Sequence, residues 1–130
     1  MKVLLDTCCI IWAASDPEKL TPAAVAVLES DDTEVHVSAI SGAEIACLAE
    51  GGRIVLDRHW RVWFNEVIDT NQWPVVDIGL DIIQEAYSLP GPFHQDPADR
   101  FITATARLRG MSVLTADEKI LSYPHVSSVW

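Results

Sequence analysis

HQDPADRFITATARLRGMSVLTAD, residues 94–117, contains a helix that leads directly into a strand. Asp96 followed by Pro97 has the form of a helix N-cap and a first helical residue. The helix predicted from this start ends before Gly110, a residue typical of helix C-termini. A short apolar strand, 111–115, follows at once. A helix that returns the chain to a buried strand is the repeating unit of α/β folds.

The rest of the chain repeats this alternation of helices and strands. Strands are predicted at 2–5, 34–38, 73–78 and 111–115, with a short fifth at 126–129. Helices are predicted at 22–30, 40–50, 57–70, 80–88 and 97–109, with a short one beginning at Asp117. Strands that alternate with helices predict a mostly parallel sheet covered on both faces. The 130 residues therefore predict a three-layer α/β/α fold in a single domain, 1–130.

The charge of the chain is strongly acidic. Lys and Arg total 9 against 19 Asp and Glu, which gives a formal net charge of −10. Because binding to a nucleic-acid backbone normally depends on Lys and Arg, this balance counts against nucleic-acid binding. A function on nucleic acid would need bound cations or a local basic rim. The candidates for that rim are Arg53, Arg58, Arg61, Arg100, Arg107, Arg109 and Lys119.

The apolar segments and cysteines indicate the compartment. No run reaches the roughly 18 apolar residues of a membrane span. Asp6 interrupts the only candidate core of a signal peptide, so a cytoplasmic protein without membrane contact is predicted. The three cysteines, Cys8, Cys9 and Cys47, are odd in number and lack C-x-x-C spacing. They are interpreted as reduced, structural thiols.

Two aspartates follow predicted strands. Asp6 ends the strand at 2–5, and Asp117 comes just after the strand at 111–115. In open α/β sheets, sites form beyond the carboxyl ends of the strands. Each aspartate taken alone is better explained as the N-cap of the helix that follows it.

Two further acids lie on helix faces that are predicted to point inward. In the segment 38–49, Glu44 has Ile40 at i−4 and Leu48 at i+4, so it falls on an apolar stripe. A buried carboxylate is expensive unless it is paired, with Arg100 or Lys119 for example, or binds a metal. Asp99 suits the first turn of its helix through the helix dipole. It also shares the small apolar face of Ile102, Thr103 and Ala106.

Four acids at one sheet edge would repel one another without a counter-charge. Divalent hard cations remove that repulsion, and Mg²⁺ typically binds a few carboxylates together with substrate phosphate. Such a cation activates water for attack at phosphorus. Neither a phosphate-binding glycine loop nor a Ser-His-Asp arrangement is visible, and a lone histidine such as His36 or His94 is more often structural.

Trp60, Trp63 and Phe64 form the most conspicuous aromatic group. Their helical spacing is typical of a stripe that packs into a core. The alternative is an exposed groove for a partner helix or a homodimer surface.

Four spaced segments together resemble a PIN-domain protein of the VapC type, the toxin of a bacterial toxin–antitoxin pair. They are LLDTCCIIWAASDPEKLTP, VSAISGAEIACLAEGGRI, HQDPADRFITATARLRGMSVLTADEKILSYP and the terminal tryptophan. The resemblance covers most of the chain and is weakest at about 55–90. It implies a mostly parallel sheet of about five strands. It also implies an endoribonuclease that depends on Mg²⁺ or Mn²⁺, with RNA as substrate and a cognate antitoxin protein as partner. A homodimer stays an alternative that depends on the aromatic surface.

The resemblance also implies roles for individual residues. The acidic positions that hold metal and carry catalysis fall on Asp6, Glu44, Asp99 and Asp117. Supporting positions fall on Thr7, Ser38, Asp96 and Thr115, of which the hydroxyl residues resemble partners that orient carboxylates. His94 and Arg100 fall where contact with RNA is expected. The chain departs from the family pattern at Cys8-Cys9 and at Gly42, which puts loop shape and substrate choice in doubt but removes no carboxylate.

Two other functions are consistent with the residues. One is a different metal-carboxylate phosphohydrolase, such as a phosphatase with an aspartyl nucleophile. Asp6-Thr7-Cys8 lacks the second acid two residues later that such chemistry needs. The other is a catalytically silent PIN-like domain that only binds a partner. The loss of a carboxylate would favour that alternative, but all four are present.

Overall fold

A five-stranded, fully parallel sheet forms the centre of the computed structural model, which describes residues 1–130. The strands, numbered along the chain, lie in the order β3-β2-β1-β4-β5. Their bounds are β1 Lys2–Leu5, β2 Glu34–Ser38, β3 Val75–Val76, β4 Ser112–Leu114 and β5 Ser128–Val129. The three-layer α/β fold predicted from the sequence is confirmed.

Seven α-helices connect and cover the strands. They are α1 Thr7–Ser15, α2 Pro22–Glu29, α3 Ala39–Glu50, α4 Trp60–Asn71, α5 Leu80–Ala86, α6 Pro97–Arg109 and α7 Glu118–Leu121. A single 3₁₀ turn, Pro17–Lys19, lies between α1 and α2. No helix is long and apolar enough to cross a bilayer.

The strand order places a switch point beside the central strand. From β1 the sheet continues through β2 and β3 in one direction and through β4 and β5 in the other. The connections after β1 and β4 therefore diverge, which leaves a crevice at the carboxyl ends of these two strands. Asp6 follows β1 and Asp117 follows β4, so both lie at this crevice.

Both faces of the sheet are buried because the residues of β1 alternate between them. Val3 and Leu5 belong to a core cluster of 12 buried residues beneath α4. Leu4 belongs to a second cluster, with Ile102 of α6, on the other face. All three β1 side chains are fully buried. This two-sided burial explains the continuous apolar run of the strand.

The aromatic stripe of α4 packs into the first core cluster. Trp63 is 3% exposed and Phe64 is 7% exposed, whereas Trp60 is half-buried at the margin of the cluster. The prediction of a core role is confirmed for Trp63 and Phe64. The alternative of an exposed partner groove built from these two rings is therefore wrong.

Several element bounds differ from the prediction. The helix predicted from residue 57 begins at Trp60, because the His59 ring caps it by accepting from the Arg61 amide at 3.2 Å. The strand predicted at 73–78 shrinks to two residues, β3. It begins after Pro74, which has no amide hydrogen to donate to a neighbouring strand. No helix is predicted from the sequence at the position of α1, although Asp6 is predicted there as a candidate N-cap.

Candidate active site

Asp6 is held rigidly between two strands. Its backbone amide donates to the Leu114 carbonyl at 3.0 Å. Its Oδ1 accepts from the Thr7 amide at 2.7 Å, which caps α1, and its Oδ2 accepts from the Thr115 hydroxyl at 2.6 Å. The residue is 8% exposed. Burial raises the pKa of the Asp6 carboxyl, although the hydrogen bond from Thr115 lowers it.

Glu44 reaches the same region from α3. The Thr7 hydroxyl donates to Glu44 Oε1, and the same hydroxyl lies 2.9 Å from Ser41 Oγ. Glu44 is half-buried and has no ion pair, so the predicted alternative of a partner such as Arg100 or Lys119 is wrong. Burial raises the pKa of its carboxyl.

The two aspartates at the start of α6 have different surroundings. Asp96 is exposed and caps the helix, with Oδ1 accepting from the Ala98 amide at 2.9 Å. Asp99 is only 8% exposed and points into the molecule. Burial, followed by the charge of Asp6, raises the pKa of the Asp99 carboxyl to about 8. The first aspartate therefore shapes the helix, and the second brings a charge into the interior.

Asp117 and His94 complete the cluster around Asp99. Asp117 caps α7 by accepting from the Lys119 amide at 2.9 Å, and its own amide donates to Thr115 Oγ1 at 3.0 Å. His94 Nε2 lies 3.0 Å from Asp99 Oδ2. One ligand atom from each of His94, Asp99 and Asp117 lies within 4.8 Å of the other two.

A single cavity of about 350 Å³ joins the four predicted carboxylates. Its lining includes Asp6, Glu44, Asp96, Asp99 and Asp117, together with Cys8 and Trp12. A larger cavity of about 470 Å³ opens at the opposite, amino-terminal ends of the strands β4 and β5. That cavity contains only one acid, Glu85, so its size does not make it the chemical centre.

The cavity contains no basic counter-charge from lysine or arginine. Every ion pair that involves an arginine lies elsewhere, with Arg58, Arg107 and Arg109 already bound to acids. Half-buried and buried carboxylates without a cationic partner are costly. Their oxygen atoms are the ligands that Mg²⁺ and Mn²⁺ prefer. The residues present therefore fit a divalent metal ion.

Two predicted site residues, Ser38 and Arg100, make hydrogen bonds to the backbone. The Ser38 hydroxyl accepts from the Ile40 amide at 3.1 Å, so it caps α3 and touches no carboxylate. The Arg100 guanidinium donates to the Ala86 and Phe93 carbonyls, each at 3.0 Å. These two bonds tie α6 to α5 and to the preceding loop, and they use two of the five N–H donors of Arg100, whose contact with RNA stays a prediction.

Ser41 is a supporting residue that no sequence pattern singled out. It is fully buried and lies three residues before Glu44, on the side of α3 that faces Thr7. That i−3 spacing from a candidate ligand is the pattern that would have revealed it. Thr7 and Thr115, in contrast, contact the carboxylates as expected.

The sequence matches a known family along nearly its whole length. The model of the PIN domain matches residues 3–126. The chain belongs to the PIN domain family. The chain is 37% identical over 123 residues to Ribonuclease VapC22 of Mycobacterium tuberculosis, a match that covers 95% of this chain and 92% of that protein.

Solved structures share the fold of this PIN domain at low sequence identity. VapBC2 from Rickettsia felis, bound to a DNA fragment from its promoter, aligns with a TM-score of 0.71 and 14% identity. That match covers 99% of this chain and 98% of the other. A toxin–antitoxin complex from Klebsiella pneumoniae aligns with a TM-score of 0.67 and 20% identity, and covers 98% and 96% of the two chains. The five-stranded parallel sheet is therefore the PIN fold.

Proposed function

We propose that this PIN domain is a metal-dependent endoribonuclease and the toxin of a toxin–antitoxin pair. The observation that carries the proposal is the single cavity in which Asp6, Glu44, Asp99 and Asp117 meet without a lysine or arginine partner. It lies at the carboxyl edge of a parallel sheet, where such folds bind their substrates. The 37% identity to Ribonuclease VapC22 supports hydrolysis of RNA as the reaction.

The four carboxylates are the ligands we propose for Mg²⁺ or Mn²⁺. Asp6 and Glu44 approach from β1 and α3, and Asp99 and Asp117 approach from α6 and the end of β4. When bound, the metal supplies a nucleophilic water and neutralises charge that develops on the scissile phosphate. The acidic chain admits an anionic RNA only where its own charge is offset, so we assign binding of the phosphate to this cavity.

Hydroxyl groups in the site hold the carboxylates in place. Thr115 donates to Asp6 Oδ2 at 2.6 Å, and Thr7 donates to Glu44 while contacting Ser41. Both threonines are buried, so their rotamers are fixed by packing. Hydrogen bonds of this kind orient metal ligands and fix the direction of their lone pairs. Asp96 acts indirectly, because its cap sets the first turn from which Asp99 points inward.

The partner we propose is a cognate antitoxin protein that covers the acidic cavity, with a second copy of this chain as a homodimer. The solved relatives named above are a toxin–antitoxin complex and a VapBC2 assembly. A basic side chain from the antitoxin would complement the unpaired carboxylates. Since Trp63 and Phe64 are buried in the core, they do not form the surface for that partner.

Expression of the chain alone and cleavage by the purified protein test this function together. We expect growth arrest and cleavage of cellular RNA, both relieved by the antitoxin. With purified protein, defined RNAs should be cut in Mn²⁺ or Mg²⁺ and left intact in EDTA, and sequencing of the new ends locates the cleavage site.

If a folded protein cuts no RNA and leaves growth unchanged, the domain is a silent partner-binding module. Release of phosphate from monoesters without RNA cleavage would instead favour the phosphohydrolase alternative.

A further inference from the structure

His94 occupies a position that the four-carboxylate site does not explain. Its Nε2 atom lies 3.0 Å from Asp99 Oδ2 and within 4.8 Å of a ligand atom of Asp117. The Nε2 atom is buried and makes no well-directed hydrogen bond, even to Asp99. A buried ring nitrogen beside two carboxylates lacks a partner that would satisfy it. The Nε2 atom of His94 is therefore unsatisfied, although it lies beside two carboxylates.

The spacing of the trio suits a single metal ion. Two ligand atoms that each lie about 2.1 Å from an ion, at right angles to each other, are about 3.0 Å apart. This is the observed separation of His94 Nε2 and Asp99 Oδ2. Ligand atoms on opposite sides of the ion are about 4.2 Å apart, within the 4.8 Å that bounds the trio. An ion can thus be accommodated with small side-chain movements.

The histidine is held in place by its surroundings. Its ring lies against the Phe93 ring, with centroids 4.7 Å apart and planes 31° from parallel. The Phe93 carbonyl accepts from Arg100, which anchors this end of the loop to α6. Phe93 also packs edge-on against the buried Tyr123 ring, 4.9 Å away. A ligand fixed in this way loses little conformational freedom when it binds a metal.

We propose that His94 is a metal ligand that acts with Asp99 and Asp117, and that it makes the site select a first-row transition ion such as Mn²⁺ over Mg²⁺. The inference rests on the proposed metal-dependent function and names the preferred class of ion. Both ions bind carboxylate oxygen, but Mn²⁺, as a first-row transition ion, also accepts an imidazole nitrogen, whereas Mg²⁺ is a harder ion that keeps oxygen ligands and water. A site with carboxylates alone would not distinguish these ions by ligand type.

A plain ion pair is the competing explanation. A protonated His94 would neutralise Asp99 without any metal role, and its imidazole would also be available for contact with RNA. Both alternatives predict that removal of His94 affects Mg²⁺ and Mn²⁺ equally. Only direct coordination predicts a loss that depends on the identity of the ion, together with a nitrogen nucleus bound to the metal.

Calorimetric titration of the full chain with MnCl₂ and MgCl₂ tests the proposal. His94→Ala should weaken Mn²⁺ binding by at least about 10-fold. It should weaken Mg²⁺ binding by less than about threefold, since Mg²⁺ keeps waters in place of poor ligands. His125→Ala is the matched control because His125 is exposed and does not belong to the cluster of His94, Asp99 and Asp117, and it should change neither affinity. Equal losses for both ions, or no loss for Mn²⁺, would overturn the proposal.

Pulsed electron paramagnetic resonance of the Mn²⁺-loaded wild-type protein gives a readout that needs no variant. A directly bound histidine nitrogen should produce a nitrogen modulation, and labelling histidine with ¹⁵N should change it. Absence of the modulation overturns the role of His94 even if His94→Ala fails to fold.

Asp99→Asn distinguishes a failure of the proposed metal cavity from a failure of the proposed His94 ligand. If it retains full affinity for both ions, the proposed metal cavity itself is wrong; if only His94→Ala has no effect, the cavity stands and the histidine ligand does not.

Discussion

Replacing Asp99 by asparagine should stabilise the metal-free protein, and the gain should grow with pH. The pKa of the Asp99 carboxyl rises from 3.8 to about 8 on folding, first through burial and then through the charge of Asp6. Between these values the folded chain keeps a proton that the unfolded chain releases. The free energy of unfolding therefore falls as pH rises through this window, by up to about 1.4 kcal/mol per pH unit. Below pH 4 the effect vanishes because both states are protonated.

The size of the effect follows from the width of that window. From pH 4.5 to pH 7, the stability of Asp99→Asn relative to wild type should increase by at most about 3 kcal/mol. For a chain of this size that corresponds to a difference in melting temperature on the order of 10 °C. Asparagine has the shape of aspartate but no charge to bury. The free energy of unfolding of the variant should therefore not fall in this way as pH rises.

Thermal melts in EDTA at several pH values measure the difference in stability between Asp99→Asn and wild type. Added Mn²⁺ should reverse the sign of that difference. At a metal concentration 100 times Kd, wild type should gain about 2.7 kcal/mol, and the variant much less. Asp96→Asn is the matched control, since Asp96 is exposed and asparagine is an equally good N-cap. A gap that stays constant with pH, or equal stabilisation of wild type and Asp99→Asn by Mn²⁺, would refute the account of Asp99.

Three further substitutions test the packing around the site. Thr115→Val should lower the free energy of unfolding, measured by urea denaturation, by about 1–3 kcal/mol, because it removes the 2.6 Å hydrogen bond to the buried Asp6. The same substitution should also reduce RNA cleavage. Gly42→Ala should stabilise α3 by up to about 1 kcal/mol, since a Cβ there would meet the Phe64 ring at an ordinary 3.9 Å; an unchanged or lower urea midpoint would contradict this. Trp63→Ala should cost about 3–5 kcal/mol through the cavity it leaves in the core, and a loss below about 1 kcal/mol would show that the ring is not packed there.

Local sequence patterns predict the bounds of those elements whose ends are marked by capping residues. Asp96-Pro97 and Gly110 fix both ends of α6, and the observed bounds agree because the cap and the left-handed Gly110 are determined by local chemistry. The strands at 73–78 and 126–129 were predicted too long. Their lengths depend on pairing with neighbours in the sheet, which a single strand does not encode.

The acids of the site were predictable because each one follows a strand or lies on an inward helix face. The contacts among them were not. Ser41 and Thr7 meet across 34 residues of chain, and His94 reaches Asp99 from a loop without regular structure. Arg100 likewise has the sequence context of a substrate contact, yet backbone carbonyls of α5 and the loop accept two of its hydrogen bonds. Such partners become visible only when the fold brings distant segments together.

The cleavage rate of one defined RNA by Asp99→Asn and by Asp96→Asn, each in Mn²⁺ and in EDTA, tests the metal-carboxylate mechanism most directly. Asp99→Asn should lose activity by orders of magnitude while remaining folded, because the charge that holds the metal is gone. Asp96→Asn should keep much of the wild-type rate, since only the helix cap is exchanged for an equivalent one. Cleavage by Asp99→Asn at the wild-type rate would contradict the account, and so would a folded but inactive Asp96→Asn.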